Sequence, residues 1–477
     1  MLVEAARAGK QREVEEHDPW FVRMGTALSN WTEKWWPNEF ALVLVSVLIV
    51  ALAAMAVGST PMQIVDYYGS SFWSLLAFTL QAALMVVFGY VVASAPPTAW
   101  LIGRIASFPK TPKGAVAYVA FFAILTSLFN WAFSLIFSGF LVRAVAARVP
   151  GMDVRAATAA GYLGLGATWA LGLSSSAALL MNTKESIPPG LLKISGIIPL
   201  SDTIFTWQSM VLLGAISLAS IAVAYLTAPS GKSAKTAEKL GVDTSLTTVS
   251  ANDGGGERRP SDWLIDSPVL PVVLGLIGAA YLLQVFANKG IAASLDLNVT
   301  NFILVTLGLL LHFRLRSFLL AATGSAKSAA GILISYMFYA GIFGIITKSP
   351  LSDAVSHFFI SISSQATLPL NAGIYSAVLG FFVPSGGGKW ILEAPYVLKA
   401  AVELQVNLGW IVQTYNAAEA LPNLLNPFWM LPILGIVGLK ARDIAGYCLL
   451  QFLVHTPLVL VLLWGLGLTL EYKPPIL

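Results

Sequence analysis

Between Phe381 and Trp390 the chain reads Phe-Phe-Val-Pro-Ser-Gly-Gly-Gly-Lys-Trp, a polar and flexible stretch inside a long apolar segment. In hydrocarbon an unpaired backbone N–H or C=O costs several kcal/mol, so such a break at membrane depth must be buried in protein or line a wet cavity. Membrane depth is implied because apolar stretches of about 20 residues recur along the chain, each able to cross a hydrocarbon core of roughly 30 Å. With 57% hydrophobic and only 11% charged residues among 477, no soluble catalytic domain remains once these stretches are removed. The fold class expected is an all-α polytopic membrane protein.

The single cysteine, Cys448, excludes disulfides within the chain and cysteine metal sites. The mostly polar first 39 residues carry no signal-cleavage pattern. The formal charge of +4 mostly reports loop lysines and arginines and says little about substrate; the partners expected are the lipid bilayer and a small carboxylate, with no nucleic acid.

Residues 1–39 read as a cytoplasmic or interfacial tail, with Trp31, Trp35 and Trp36 at headgroup level. Spans are expected at about 40–58 and 72–95, then an in-plane helix from Thr98 to Phe108. From Gly114 to Val142 the apolar run is interrupted by Asn130-Trp131 and Ser134, and basic residues flank both ends. A re-entrant hairpin keeps those charges on one side, as the positive-inside rule favours. A span at 156–182, broken at Gly172-Leu-Ser-Ser-Ser176, and another at 203–227 complete a first repeat over 40–227. Residues 228–267, including Gly254-Gly-Gly256, read as a flexible cytoplasmic linker.

After a connecting span at 268–287, the pattern returns within a second repeat over 288–470. Phe72–Pro96 matches Ala326–Pro350, 97–108 matches 351–362, the first hairpin matches about 368–398, and the broken span matches 409–437. A last span at 444–470 leaves a short tail, 471–477. Five spans precede the second half, so the two repeats are expected to be inverted. With the N-terminus inside and the C-terminus outside, 21 of the 28 lysines and arginines fall in cytoplasmic segments, among them Arg314, Arg316 and Lys327 in a loop at 314–327.

Two hairpin tips and two broken spans then meet near the bilayer midplane. Helix N-termini there present N–H groups to an anion, and freed carbonyls and hydroxyls suit a cation. For substrate the candidates are Asn130, Trp131, Ser174, Ser175, Ser176, Ser385, Gly386, Gly387 and Gly388. For a coupling proton or sodium ion they are Ser134, Glu419, Asn423 and Asn426. The competing reading is that the small residues only permit close helix packing, and that Glu419 makes a structural hydrogen bond to the nearby break. Glu393 and Lys389 flank the second tip and suit mutual pairing or contact with solvent at the cavity mouth, with substrate attraction by Lys389 as the alternative. Trp131, Trp390 and Trp429 stand beside the breaks, where they wall a pocket or simply pack. His312 and His455 lack partners at ligand spacing and read as ordinary hydrogen-bonded histidines. No cofactor or resident metal is expected. Gly388-Lys389 superficially resembles a P-loop, but Trp390 and Val383 stand where Ser/Thr and the first Gly are required, and no HExxH or GxSxG is present.

Phe129-Asn-Trp-Ala-Phe-Ser-Leu, Val383-Pro-Ser-Gly-Gly-Gly-Lys-Trp, Pro427-Phe-Trp-Met-Leu-Pro and Arg442-Asp-Ile-Ala-Gly-Tyr, in this order, resemble the bacterial short-chain fatty acid transporter family over nearly all of residues 25–470. The resemblance implies inner-membrane uptake of small monocarboxylates such as butyrate or acetoacetate, and a scaffold with a moving transport region. Ser134 and Gly380 depart from the family pattern, which has Gly and Asn there, and Gly380 removes one partner from a symmetric two-Asn cation site. The expected protein is a secondary active transporter, proton- or sodium-coupled, of a kind that often dimerises. A passive small-anion channel, or a carrier of other small carboxylates, is the alternative.

Overall fold

The computed structural model describes residues 39–231, 234–244 and 262–475. The tail with its three tryptophans and the Gly254-Gly-Gly256 part of the linker therefore lie outside the described residues.

Helices dominate, and no strand occurs among the described residues. The first half runs α1 (Glu39–Ala56), α2 (Pro61–Ser71), α3 (Leu76–Ala93), α4 (Pro96–Ile105), α5 (Pro112–Ser127), α6 (Trp131–Ala146), α7 (Val154–Leu163), α8 (Ser176–Asn182) and α9 (Trp207–Thr227). Next come α10 (Val269–Lys289) and α11 (Leu297–His312). The second half runs α12 (Leu315–Lys348), α13 (Leu351–Ile362), α14 (Leu368–Phe382), α15 (Gly386–Glu403), α16 (Leu408–Asn423), α17 (Pro427–Val437) and α18 (Ala441–Gly467). From α3 onward and from α12 onward the same order of elements is seen: a long helix, a short one opened by proline, two arms around a break, a broken helix, and a long helix.

Several local choices explain these boundaries. Pro96-Pro97 ends the chain's course along α3 and opens α4, since proline suits the first helical turn and cannot continue a helix. Asn130 caps α6 by accepting from Phe133 N at 2.8 Å, Ser175 caps α8 through Ala178 N at 3.0 Å, and Ser385 caps α15 through Gly388 N at 3.3 Å. These three breaks are thus each built by a side chain that satisfies the helix it opens. The arms α5 and α6 have 16 residues each, about 24 Å at 1.5 Å per residue, which falls short of a bilayer core.

The structure departs from expectation in three places. A separate helix not expected from the sequence, α2, held by a Thr60–Gln63 capping box, precedes the span expected at 72–95, which α3 fills from Leu76 to Ala93. The loop expected at 314–327 is the opening half of the 34-residue α12, where Arg316 pairs with Asp266 at 2.6 Å. The first part of the linker is docked and not free. Lys235 N donates to Asp153 Oδ2 at 2.9 Å, Val154 N donates to Lys235 O at 3.0 Å, and Arg143 pairs with Asp243 at 2.6 Å.

Two apolar cores organise the packing. One gathers α3, α8, α11, α12, α14 and α15; the other gathers α5, α6, α7 and α17. Each core mixes the halves, because α8 packs on α15 and α16 while α17 packs on α6 and α7. One arm of each break, α6 in the first half and α15 in the second, therefore leans on part of the broken helix of the opposite half as well as on that of its own. Among the described residues six helices are long and apolar enough to cross a membrane. Large apolar side chains such as Leu48 on α1, Leu218 on α9 and Ile277 on α10 face outward, as lipid contact requires.

Candidate functional site

At the meeting of both breaks and both broken helices lies a cavity of about 700 Å³ including its open mouth. Its wall is mostly aromatic and aliphatic, with a few polar groups from different elements, the composition of a small-molecule site.

The opening turn of α15 forms one side. Ser385, Gly386 and Gly387 line the cavity, and the amides of Gly386 and Gly387 begin a helix, where N–H groups have no partner inside it. Glycine is required here by close approach: a Cβ on Gly386 would strike the Trp169 indole, and one on Gly387 would strike Phe78 and the Tyr336 hydroxyl. Tyr415 fixes the turn from behind, its hydroxyl donating to Gly386 O. Gly388 faces away, against Tyr339.

The first broken helix supplies Leu165, Trp169 and Ser176. Between α7 and α8 its backbone loosens into a π turn, Gly164–Thr168, and a 3-10 turn, Trp169–Leu171, a departure that often accompanies functional sites. Gly164 admits Ala123 O and Ser134 Oγ at its Cα, and Ser127 and Thr168 hydroxyls meet at 3.0 Å.

The structure sorts the other residues singled out above. Trp131 lines the cavity with Trp429, their rings perpendicular at 5.6 Å. Asn130 lies fully buried behind the wall, donating from Nδ2 to Met85 O at 3.1 Å. Ser174 Oγ accepts from Trp131 N at 2.8 Å, and Ser175 Oγ donates to Asn416 Oδ1 at 2.9 Å; both hydroxyls serve the frame, and Ser176 alone of the three reaches the cavity. Ser134 Oγ donates to Ala123 O at 2.7 Å. Glu419 and Asn423, one turn apart on α16, both line the cavity, and Asn423 Oδ1 is buried with no hydrogen-bond partner. Asn426 stands in the break between α16 and α17, outside the wall.

Lys389 and Glu393 are not at a mouth. Both are buried, and Lys389 Nζ reaches Glu419 Oε2 at 2.6 Å and Glu393 Oε1 at 3.3 Å. Trp390 packs on Tyr415 instead of facing the cavity. The two histidines are bonded: His312 to Ser317 Oγ and Val91 O, and His455 to Ser220 Oγ. Sequence reading missed Trp169, Phe78, Tyr336 and Met85, all in the wall. Trp169 had a signal, standing three residues before Gly172 in the broken span; Phe78 and Tyr336, stacked at 5.6 Å, sit in unbroken apolar helices and had none.

Short arms, interrupted helices and an internal cavity where they meet mark a polytopic membrane transport protein. The model of the family described as "Short chain fatty acid transporter" matches residues 20–466, and the chain belongs to that family. It is 34% identical over 438 residues to an Escherichia coli protein named "Putative short-chain fatty acid transporter", covering 90% of this chain and 96% of the relative. A Haemophilus influenzae protein of the same name is 30% identical over 456 residues, covering 93% and 99%. Two solved structures share the fold: the Alcanivorax borkumensis YdaH transporter, described as having an unusual topology, with TM-score 0.57, 15% identity and coverage of 91% of this chain and 97% of that one, and Neisseria gonorrhoeae MtrF, described among antimetabolite efflux pumps, with TM-score 0.58, 13% identity and coverage of 94% and 97%.

Proposed function

We propose that the chain is a secondary active transporter of the bacterial inner membrane that takes up small monocarboxylates such as butyrate or acetoacetate. The observation that carries this reading is the opening of the Gly386 and Gly387 amides into a cavity walled by Phe78, Trp131, Trp169 and Trp429. An anionic head held at a helix N-terminus and a short alkyl tail against aromatic rings match a short fatty acid in both charge and shape.

Alternating access follows from the architecture as we read it: two inverted repeats, N-terminus inside and C-terminus outside, with the arms and broken helices moving against a scaffold that pairs with a second copy. Uptake is coupled to a proton or sodium ion. Moderate affinity suits such a site, because a carrier must release what it binds.

The test is counterflow of labelled butyrate in proteoliposomes preloaded with unlabelled butyrate. A carrier exchanges the two faster than empty liposomes leak, and Ser385→Trp, which fills the cavity, abolishes the exchange. Flux that never saturates and shows no counterflow would point to a channel; counterflow with other small carboxylates alone would move the cargo.

A further inference from the structure

Beside the cavity lies an ion cluster that the binding scheme above leaves unused. Lys389 Nζ contacts Glu419 Oε2 at 2.6 Å and Glu393 Oε1 at 3.3 Å, donates to Ser376 O at 2.6 Å and Ser376 Oγ at 2.8 Å, and stands 4.8 Å from the centre of the Tyr415 ring. The three ionic residues are at most 2% exposed. One ammonium facing two carboxylates leaves one net negative charge when all three are ionised. Only one of the two carboxylates, Glu419, reaches the cavity.

This arrangement bears on which ion travels with the substrate. A metal cation would seek the position between the two carboxylates, and Lys389 Nζ already fills it. A carboxylate substrate at the Gly386 and Gly387 amides brings a second negative charge into the same enclosed space, where water does not screen it. A proton on Glu419 removes that conflict, since the cluster becomes neutral and the carboxyl gains an O–H donor for the arriving anion.

We propose that Glu419 is the proton-binding group of this transporter and takes up one proton with each monocarboxylate, with Lys389 and Glu393 as the fixed charges that make that proton necessary. The proposal rests on the monocarboxylate reading. Reciprocity then requires that anion binding raise proton affinity by the same factor that protonation raises anion affinity. The groups facing Glu419 are few: Lys389 and, behind it, Glu393 from α15, Tyr415 from its own helix, and Tyr336 from α12 in the same cavity wall; Tyr375 on α14 is bonded to Tyr396. The π turn, the 3-10 turn and α8 contain no ionisable residue, and His455 on α18 is bonded to Ser220.

Titration calorimetry of the full chain in detergent with butyrate, repeated in buffers of different ionisation heat, counts protons taken up on binding. Close to one proton per butyrate at neutral to alkaline pH, without added sodium, is expected. Glu419→Gln should bind with no proton uptake and a flat pH dependence. Glu393→Gln keeps Glu419 but discharges its neighbour, so proton uptake should fall below one and affinity at alkaline pH should rise. Butyrate binding in the wild type with no proton taken up, binding that requires sodium, or undiminished uptake in Glu419→Gln would overturn the proposal and leave the monocarboxylate reading standing. No butyrate binding in the wild type would overturn both, with the cargo reading failing first.

Discussion

The Trp169 indole rests on the Cα of Gly386, so that the irregular turn of one broken helix forms the floor for the opening turn of α15. A methyl group at position 386 has nowhere to go. Gly386→Ala is expected to push the ring into the cavity and lower butyrate counterflow by about tenfold or more, the kinetic equivalent of an overpacking cost of roughly 1–3 kcal/mol. Measured exchange rates, with expression and thermal stability as controls, check this; an unchanged rate would remove the floor from the site.

Lys389 is the single cation for two buried carboxylates in its cluster. Lys389→Met leaves both without their partner, and breaking a buried pair in this way costs roughly 3–5 kcal/mol. Thermal unfolding in detergent should show a large drop in midpoint. The double variant Lys389→Met/Glu419→Gln should recover part of it, because one of the stranded charges is gone.

The docked segment 234–244 offers two contacts of different strength. Asp153 is fully buried and accepts from Arg155 N, Ala156 N and Lys235 N, whereas Arg143 reaches an Asp243 whose side chain is 69% exposed. Asp153→Ala should therefore cost about 1–3 kcal/mol and open the segment to limited proteolysis. Arg143→Ala should change protease sensitivity little, as solvent-screened pairs contribute roughly 0–1 kcal/mol.

Asn423 presents a buried, unpartnered Oδ1 to the cavity. Asn423→Leu removes a polar group that the resting structure does not satisfy, so stability should hold or rise slightly. If that oxygen meets cargo, the KM for butyrate rises several-fold while the thermal midpoint does not fall. A KM equal to that of the wild type would make Asn423 a bystander.

Much of this architecture is readable in advance. Asn130, Ser175 and Ser385 stand out because a capping residue in an apolar run has no reason to be there unless a helix begins. What the sequence hides is direction and reach. Nothing in Gly172-Leu-Ser-Ser-Ser176 says that Ser174 and Ser175 turn inward to Trp131 N and Asn416 while Ser176 turns to the cavity. Lys389 looks like a mouth residue because it follows a polar break, and its burial depends on Glu419, a partner on a different helix. Arg314, Arg316 and Lys327 look like loop charges, yet Arg316 is paired with Asp266 at the start of a helix that continues to Lys348. Pairing across the fold decides both cases, and periodicity does not record it.

The exchange of supports between halves, α8 on α15 and α17 on α6, has a consequence for how the protein is made. A nascent chain that has emerged only as far as residue 244 has its first pair of arms packed on α7 but lacks α17 for α6, and its α8 lacks α15 and α16. Those surfaces must wait in the bilayer until the ribosome has delivered α15 and then α17. Premature termination anywhere before Val437 therefore leaves no smaller working unit behind, and two separately expressed halves should regain counterflow only when inserted together.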